Sequence, residues 1–195
     1  MRNKIITLPE FSLVTLVGIT GAGKTSFASR HFSPTQVLTS DRFRAMVSDN
    51  ENCMGASGDA FEILYLVARK RLSRKLLTVV DATNVQDYAR RRILELAHEF
   101  GASPVAIIFD IPPEVCVSRT LHRTDRPFGP DVVLEHYSEF QETMKVIQTE
   151  GFESIQVLGG VEEVQEAIVS ITSETLVPMR DIATIPARSA VSFSP

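Results

Sequence analysis

The sequence predicts an α/β fold, with about five parallel strands in one sheet and helices on both faces. Three observations predict it. Short apolar runs alternate along the chain with stripes of apolar residues at helical spacing. Several of those runs close on a glycine or an aspartate, where strands of such sheets pass into ligand-binding loops. The 195 residues, 44% hydrophobic and 23% charged, supply one sizeable core and leave little room for a second domain.

The elements follow in order. Residues 13–17 (LVTLV) end at Gly18 and read as a buried strand, with a helix over residues 24–32 behind it. Residues 37–39 form a second short strand ending at Ser40-Asp41, followed by a helix over residues 42–48. Residues 49–58 are polar and glycine-containing, hence a loop. Phe61, Leu64, Tyr65, Ala68 and Leu72 then recur at helical spacing. Residues 76–81 form a third strand closing on Asp81, and Ala89, Ile93, Leu96, Ala97 and Phe100 mark a helix stopped by Gly101. Residues 105–109 are a fourth strand. Pro112-Pro113 open a helix that runs to about His122, because proline suits a first helical turn. A loop covers residues 124–130, and Val133, Tyr137, Phe140, Met144 and Ile147 form the next helical stripe. Residues 155–158 are a fifth strand and residues 164–171 a last helix. The pattern fails after about Ser173, so residues 1–173 are expected to form the domain and residues 174–195 a tail or linker stub.

Composition excludes several classes. No apolar run approaches the roughly 18–20 residues that span a bilayer. Pro9 and Glu10 interrupt the stretch behind the basic start, so no signal peptide is expected. Cys53 and Cys116 give neither a disulfide framework nor a CxxC pair, and the expectation is reduced thiols in the cytoplasm. His31, His98, His122 and His136 show no metal-ligand spacing and read as surface or packing residues. Net charge is −4, but it is unevenly spread: residues 1–126 carry 17 Lys and Arg against 13 Asp and Glu, and residues 127–195 carry 3 against 11. Such asymmetry marks either a polyanion-binding face or merely a basic and an acidic helix.

Residues 18–25, GITGAGKT, match G-x-x-x-x-G-K-[ST] between a strand and a helix. Glycines at this turn let backbone N–H groups and a helix N-terminus face a phosphate. Gly21, Ala22, Gly23 and Ser26 belong to this cradle, Lys24 reaches the β/γ-phosphates, and the Thr25 hydroxyl is a Mg²⁺ ligand. A nucleoside triphosphate, ATP or another, with Mg²⁺ is therefore expected. Asp81 closes a strand either as a Mg²⁺-side carboxylate or as a turn or capping residue.

Asp41 stands at the carboxyl edge of the sheet, where a carboxylate can take the proton of an attacking hydroxyl. Arg44, three residues on, shares its helical face and either holds Asp41 or binds a phosphate of the acceptor. Arg119, Arg123 and Arg126 fall on one stripe if the helix continues into the TDRPFG loop, and read either as an arginine-bearing lid or as a solvated basic face. Arg69-Lys70-Arg71, Arg74-Lys75 and Arg90-Arg91-Arg92 offer a track for a phosphodiester backbone, or else two solvated helix faces.

The blocks GITGAGKTSFASRHF, TSDRFRAMVSDNEN, DAFEILYLVARKRL, LTVVDATNV, PVAIIFDIPPEVC and HRTDRP run in order from about Leu13 to Leu158. In these blocks the chain resembles the kinase module of the bacterial end-healing polynucleotide kinase–phosphatase (Pnkp) family, a group of P-loop phosphotransferases. The resemblance implies a P-loop kinase fold and ATP-dependent phosphorylation of the 5′-OH ends of DNA or RNA in repair. It implies that Lys24 and Thr25 act in the cradle, Asp41 as general base and Arg44 beside the acceptor, with Arg119, Arg123 and Arg126 around the phosphates. Larger members continue into phosphatase and ligase-like modules. The Gly-Asp-x-His signature that opens the phosphatase is missing here, so those activities are expected only of a longer chain or separate proteins. Two other classes share the cradle: a kinase of a small hydroxyl compound, and a non-catalytic nucleotide switch.

Overall fold

The computed structural model describes residues 4–122 and 129–173. Its centre is a five-stranded, all-parallel sheet built from β2 (Ser12–Val17), β3 (Val37–Thr39), β4 (Thr78–Asp81), β5 (Ser103–Phe109) and β6 (Ser154–Leu158), in the order β3-β4-β2-β5-β6. β2 lies in the middle, pairing Leu16 with Asp81 of β4 and with Ile107 of β5. Every residue of β2 and β4 is buried. That explains why both read as unbroken apolar runs rather than alternating ones.

Helices cover both faces. Leu64, Ala68 and Leu72 of α3 (Ser57–Leu72) and Ile93, Leu96 and Ala97 of α4 (Asp87–Phe100) pack with Leu13, Leu38 and Val80 on one face. On the other, α1 (Lys24–His31), α5 (Pro113–Leu121) and α6 (Pro130–Val146) bring Phe27, Cys116, Val133 and Phe140 against Val14, Val79 and Ile108. Phe27 meets Phe109 edge-on at 5.2 Å between centroids, which fixes α1 to β5. α2 (Ser40–Ser48) follows β3 directly and packs on α3. No helix among the described residues is long and apolar enough to cross a membrane.

One strand was not expected, and two expectations need correction. Residues 5–9, interrupted by Pro9, form a strand, β1 (Ile5–Pro9), with Ile6 and Leu8 fully buried. The expected helix over residues 164–171 is instead α7 (Val161–Glu166) followed by β7 (Ile168–Thr172). Val164, Ile168 and Ile171 sit at helical spacing, but the β-branched run Ile168-Val169 and Ile171-Thr172 favours a strand once a partner exists. The partner is β1: the two form a separate parallel pair with Ile6 opposite Val169. Pro9 is tolerated there because it ends an edge strand. Residues 49–58 are also not all loop, since a 3₁₀ turn covers Met54–Ala56 and α3 starts at Ser57. The proposed tail, residues 174–195, and the lid loop with Arg123 and Arg126 lie outside the described residues.

Candidate active site

The parallel sheet delivers its loops to one edge, and most of the predicted residues that are described line one cavity of about 1160 Å³ there. The loop after β2 carries the cradle. Gly21 has φ +85°, and a Cβ there would stand 2.7 Å from the Cys116 carbonyl oxygen of α5. Gly23, at φ +96°, is the N-cap of α1 and offers no side chain to its first N–H groups. Those donors therefore face the cavity wall formed by Gly23, Lys24, Thr25 and Ser26. Ala22 is fully buried beneath the loop. Lys24 is buried, and its Nζ donates to the carbonyls of Gly18 (2.8 Å) and Ile19 (2.9 Å), so the ammonium curls over the cradle.

Asp81 ends β4 beside this loop and is buried. Burial pushes its carboxyl pKa up, against the opposing pull of the Lys24 charge and hydrogen bonds from Thr25 and Thr39. Its Oδ2 is buried without a hydrogen-bond partner, and so is Oδ1 of Asn84, whose amide donates to the Leu16 carbonyl. Two buried, undonated oxygens beside a threonine hydroxyl, all on the cavity wall, fit a divalent cation. Asp81 does not cap a helix, since α4 starts six residues later with Gln86 as its N-cap.

Asp41 lies in the first turn of α2, which starts at Ser40, earlier than the sequence indicated. Its carboxylate is paired with the Arg44 guanidinium, and Arg44 Nε donates to the Glu51 carbonyl at 2.7 Å. Arg44 is buried, and burial lowers its pKa while the nearby Glu51 and Cys53 raise it. The arginine is thus a strut: one end is fixed on the chain beyond α2, the other holds Asp41 at the cavity wall. Across the cradle, Arg119 of α5 donates to the Gly21 carbonyl at 3.1 Å.

Several members of the basic clusters make contacts within the chain. Arg90 is only 1% exposed and makes a two-pronged pair with Glu150 (2.6 and 2.7 Å), plus bonds to the Asn84 carbonyl and Thr143. Arg71 donates to the Leu77 carbonyl, while Arg69 pairs with Glu99, Arg91 with Asp87 and Arg92 with Glu95. Lys75 sits over the Phe11 ring.

Sequence reading missed several lining residues. His136 of α6 contacts the Thr20 hydroxyl at 3.1 Å, and burial and the Lys24 charge lower its pKa against Glu139 and Glu135. Nothing in its spacing marks it, because α6 reaches the cradle only through the fold. Phe61 and Tyr65, expected only as part of a helical stripe, line the cavity with Tyr88 on the side where α3 packs against the Asp41 helix α2. Val161 and Val164 of α7 also line the cavity, Val164 beside Gly23, and Arg30 donates to the Val164 carbonyl.

Fold and site together define a P-loop nucleotide-site protein of kinase-like architecture. Residues 13–147 match the AAA domain family AAA_33, and the chain belongs to that family. A putative kinase from Chloroflexus aurantiacus superposes with a TM-score of 0.53 at 16% identity, covering 76% of this chain and 87% of the other. The Mycobacterium tuberculosis APS kinase CysC, solved with AMPPNP and APS, gives 0.51 at 16% identity, covering 81% and 94%. A chain of the Pnkp1/Rnl/Hen1 complex gives 0.50 at 24% identity, covering 63% of this chain and 42% of that one. A comparison with curated proteins gives no match.

Proposed function

We propose that the chain is an ATP-dependent phosphotransferase that moves the γ-phosphoryl group to a hydroxyl held at Asp41, and that this hydroxyl is the 5′-OH end of DNA or RNA. One observation carries the transfer: a strut-held carboxylate, Asp41, opens on the same cavity as Lys24, Thr25 and Asp81. The Pnkp-like sequence blocks and the Pnkp1 likeness support the 5′-OH acceptor.

Asp41 accepts the proton of the attacking hydroxyl. The oxygen bonds to the γ-phosphorus, the bond to the β–γ bridging oxygen breaks, and ADP leaves. The transition state of such transfers is loose, so the carboxylate both orients the hydroxyl and takes its proton. This suits a carboxylate already paired with Arg44. Lys24 and Arg119 face the phosphates, and Arg123 and Arg126 join them in the lid implied by the resemblance. Thr25 and Asp81 would hold Mg²⁺, which supplies charge neutralisation at the β- and γ-oxygens.

A second reading, a kinase of a small hydroxyl compound, is favoured by the pairing of Arg69, Arg90, Arg91 and Arg92 with carboxylates, which offsets charge that a phosphodiester track would use. The APS kinase likeness points the same way. Labelled phosphoryl transfer from ATP to 5′-OH oligonucleotides, nucleosides and sugar acids separates the readings. Transfer to oligonucleotides with a KM that rises steeply with salt supports the polynucleotide acceptor. A salt-insensitive KM with sugar acids preferred supports the small compound, and ATP consumption without any acceptor supports a switch.

A further inference from the structure

Resting on the phosphotransferase reading, we infer that the Asp41 end of the cavity is a nucleobase subsite, so that the acceptor hydroxyl is carried on a nucleoside. Tyr65 of α3 and Tyr88 of α4 line this end from two helices, and Phe61 lies 5.9 Å from Tyr65 with the rings tilted by 31°. Tyr88 is 65% exposed, an aromatic face left open inside a ligand cavity. Its hydroxyl donates to Gln86, whose amide donates to Glu139 at 3.0 Å, so the ring is tethered. The Arg92 guanidinium stands 6.0 Å from the Tyr65 centroid, flanking the aromatic wall with a cation. Flat rings beside a guanidinium bind flat π-systems by stacking, with little dependence on which base is offered. A nucleoside joins base and hydroxyl through one sugar, so docking the base places the hydroxyl.

The terminal nucleoside of a strand and a free nucleotide share this chemistry. Because the sequence has no Trp and only three Tyr, two of them in this wall, intrinsic tyrosine emission reports the subsite directly. The full chain, saturated with AMPPNP, is titrated with a 5′-OH thymidine dinucleotide, with thymidine 3′-phosphate, with the dinucleotide whose 5′-terminal residue is abasic, and with ribose. The two base-bearing probes quench the emission; the abasic probe and ribose do not. The dinucleotide binding better than thymidine 3′-phosphate assigns the site to a strand end, and the reverse to a free nucleotide. Tyr88→Leu raises the dinucleotide Kd about tenfold to a hundredfold, leaves the AMPPNP Kd unchanged and keeps the circular dichroism spectrum, whereas Tyr88→Phe retains affinity. Equal affinity for the abasic and normal dinucleotides, or an unaffected Tyr88→Leu, overturns the subsite. If base-dependent quenching holds but no hydroxyl takes phosphate from ATP, the subsite stands and the phosphotransferase reading falls.

Discussion

His136 and Cys116 flank the cradle from α6 and α5, and burial shifts both. His136 is kept neutral by burial and by Lys24, so its folded pKa lies below the ordinary 6.5. A base whose pKa is depressed on folding stabilises the fold above its unfolded value, and that stability drains away as pH falls through 6.5 toward the folded pKa. Thermal melts should therefore weaken below pH 6.5, and His136→Gln should remove part of that fall. His31, also lowered by burial and by Arg30, accounts for a further part. A His136→Gln profile parallel to wild type would show that His136 is protonated freely in the fold. Cys116 is fully buried and its thiol is pushed up to about 11, while Cys53 is half-buried. At pH 8 a thiol reagent should label Cys53 alone in the native protein and both after unfolding, because only the thiolate reacts. Mass spectrometry of the native adduct checks this, and rapid labelling of Cys116 would mean that α5 opens from the cradle.

Among the elements, the loop between β4 and α4 links the site to the second layer. Asn84 reaches the Leu16 carbonyl of β2, and Arg90 of α4 holds the Asn84 carbonyl while pairing with Glu150. Arg90-Arg91-Arg92 reads as one basic run in sequence, yet helical geometry turns Arg90 inward and leaves Arg91 and Arg92 outward. Arg90→Ala strands a half-covered Glu150 and should cost about 3–5 kcal/mol in denaturant unfolding. Arg91→Ala, which loses only an exposed pair with Asp87, should stay within about 0.5 kcal/mol. Equal costs would return Arg90 to a solvated face. Composition cannot reveal such a difference; only the position of α6 and Glu150 does. The same holds for β1 and β7, whose pairing joins residues more than 160 apart and has no local signal beyond β-branching.

At the scale of the whole molecule, the central sheet and its flanking helices were legible because each strand is a short apolar run ending at a loop residue with its own chemistry, such as Gly18, Asp41 or Asp81. The cradle was legible for the same reason, being local: eight consecutive residues carry it. The rest of the cavity wall was not, since Tyr65 and Tyr88 of α3 and α4, like His136 of α6 at the cradle, reach a cavity that no spacing encodes. In the proposed reaction Asp41 serves the acceptor and Lys24 the donor, both on the wall of one cavity. The direct measurement is single-turnover transfer from labelled ATP to a hydroxyl acceptor, with ATP affinity measured alongside, in wild type, Lys24→Ala and Asp41→Asn. Asp41→Asn should slow transfer by about 10²–10⁴ at nearly unchanged ATP affinity, and Lys24→Ala should abolish it with the fold intact. Loss of ATP binding in Asp41→Asn with normal transfer per bound ATP would contradict the account and make Asp41 a nucleotide ligand.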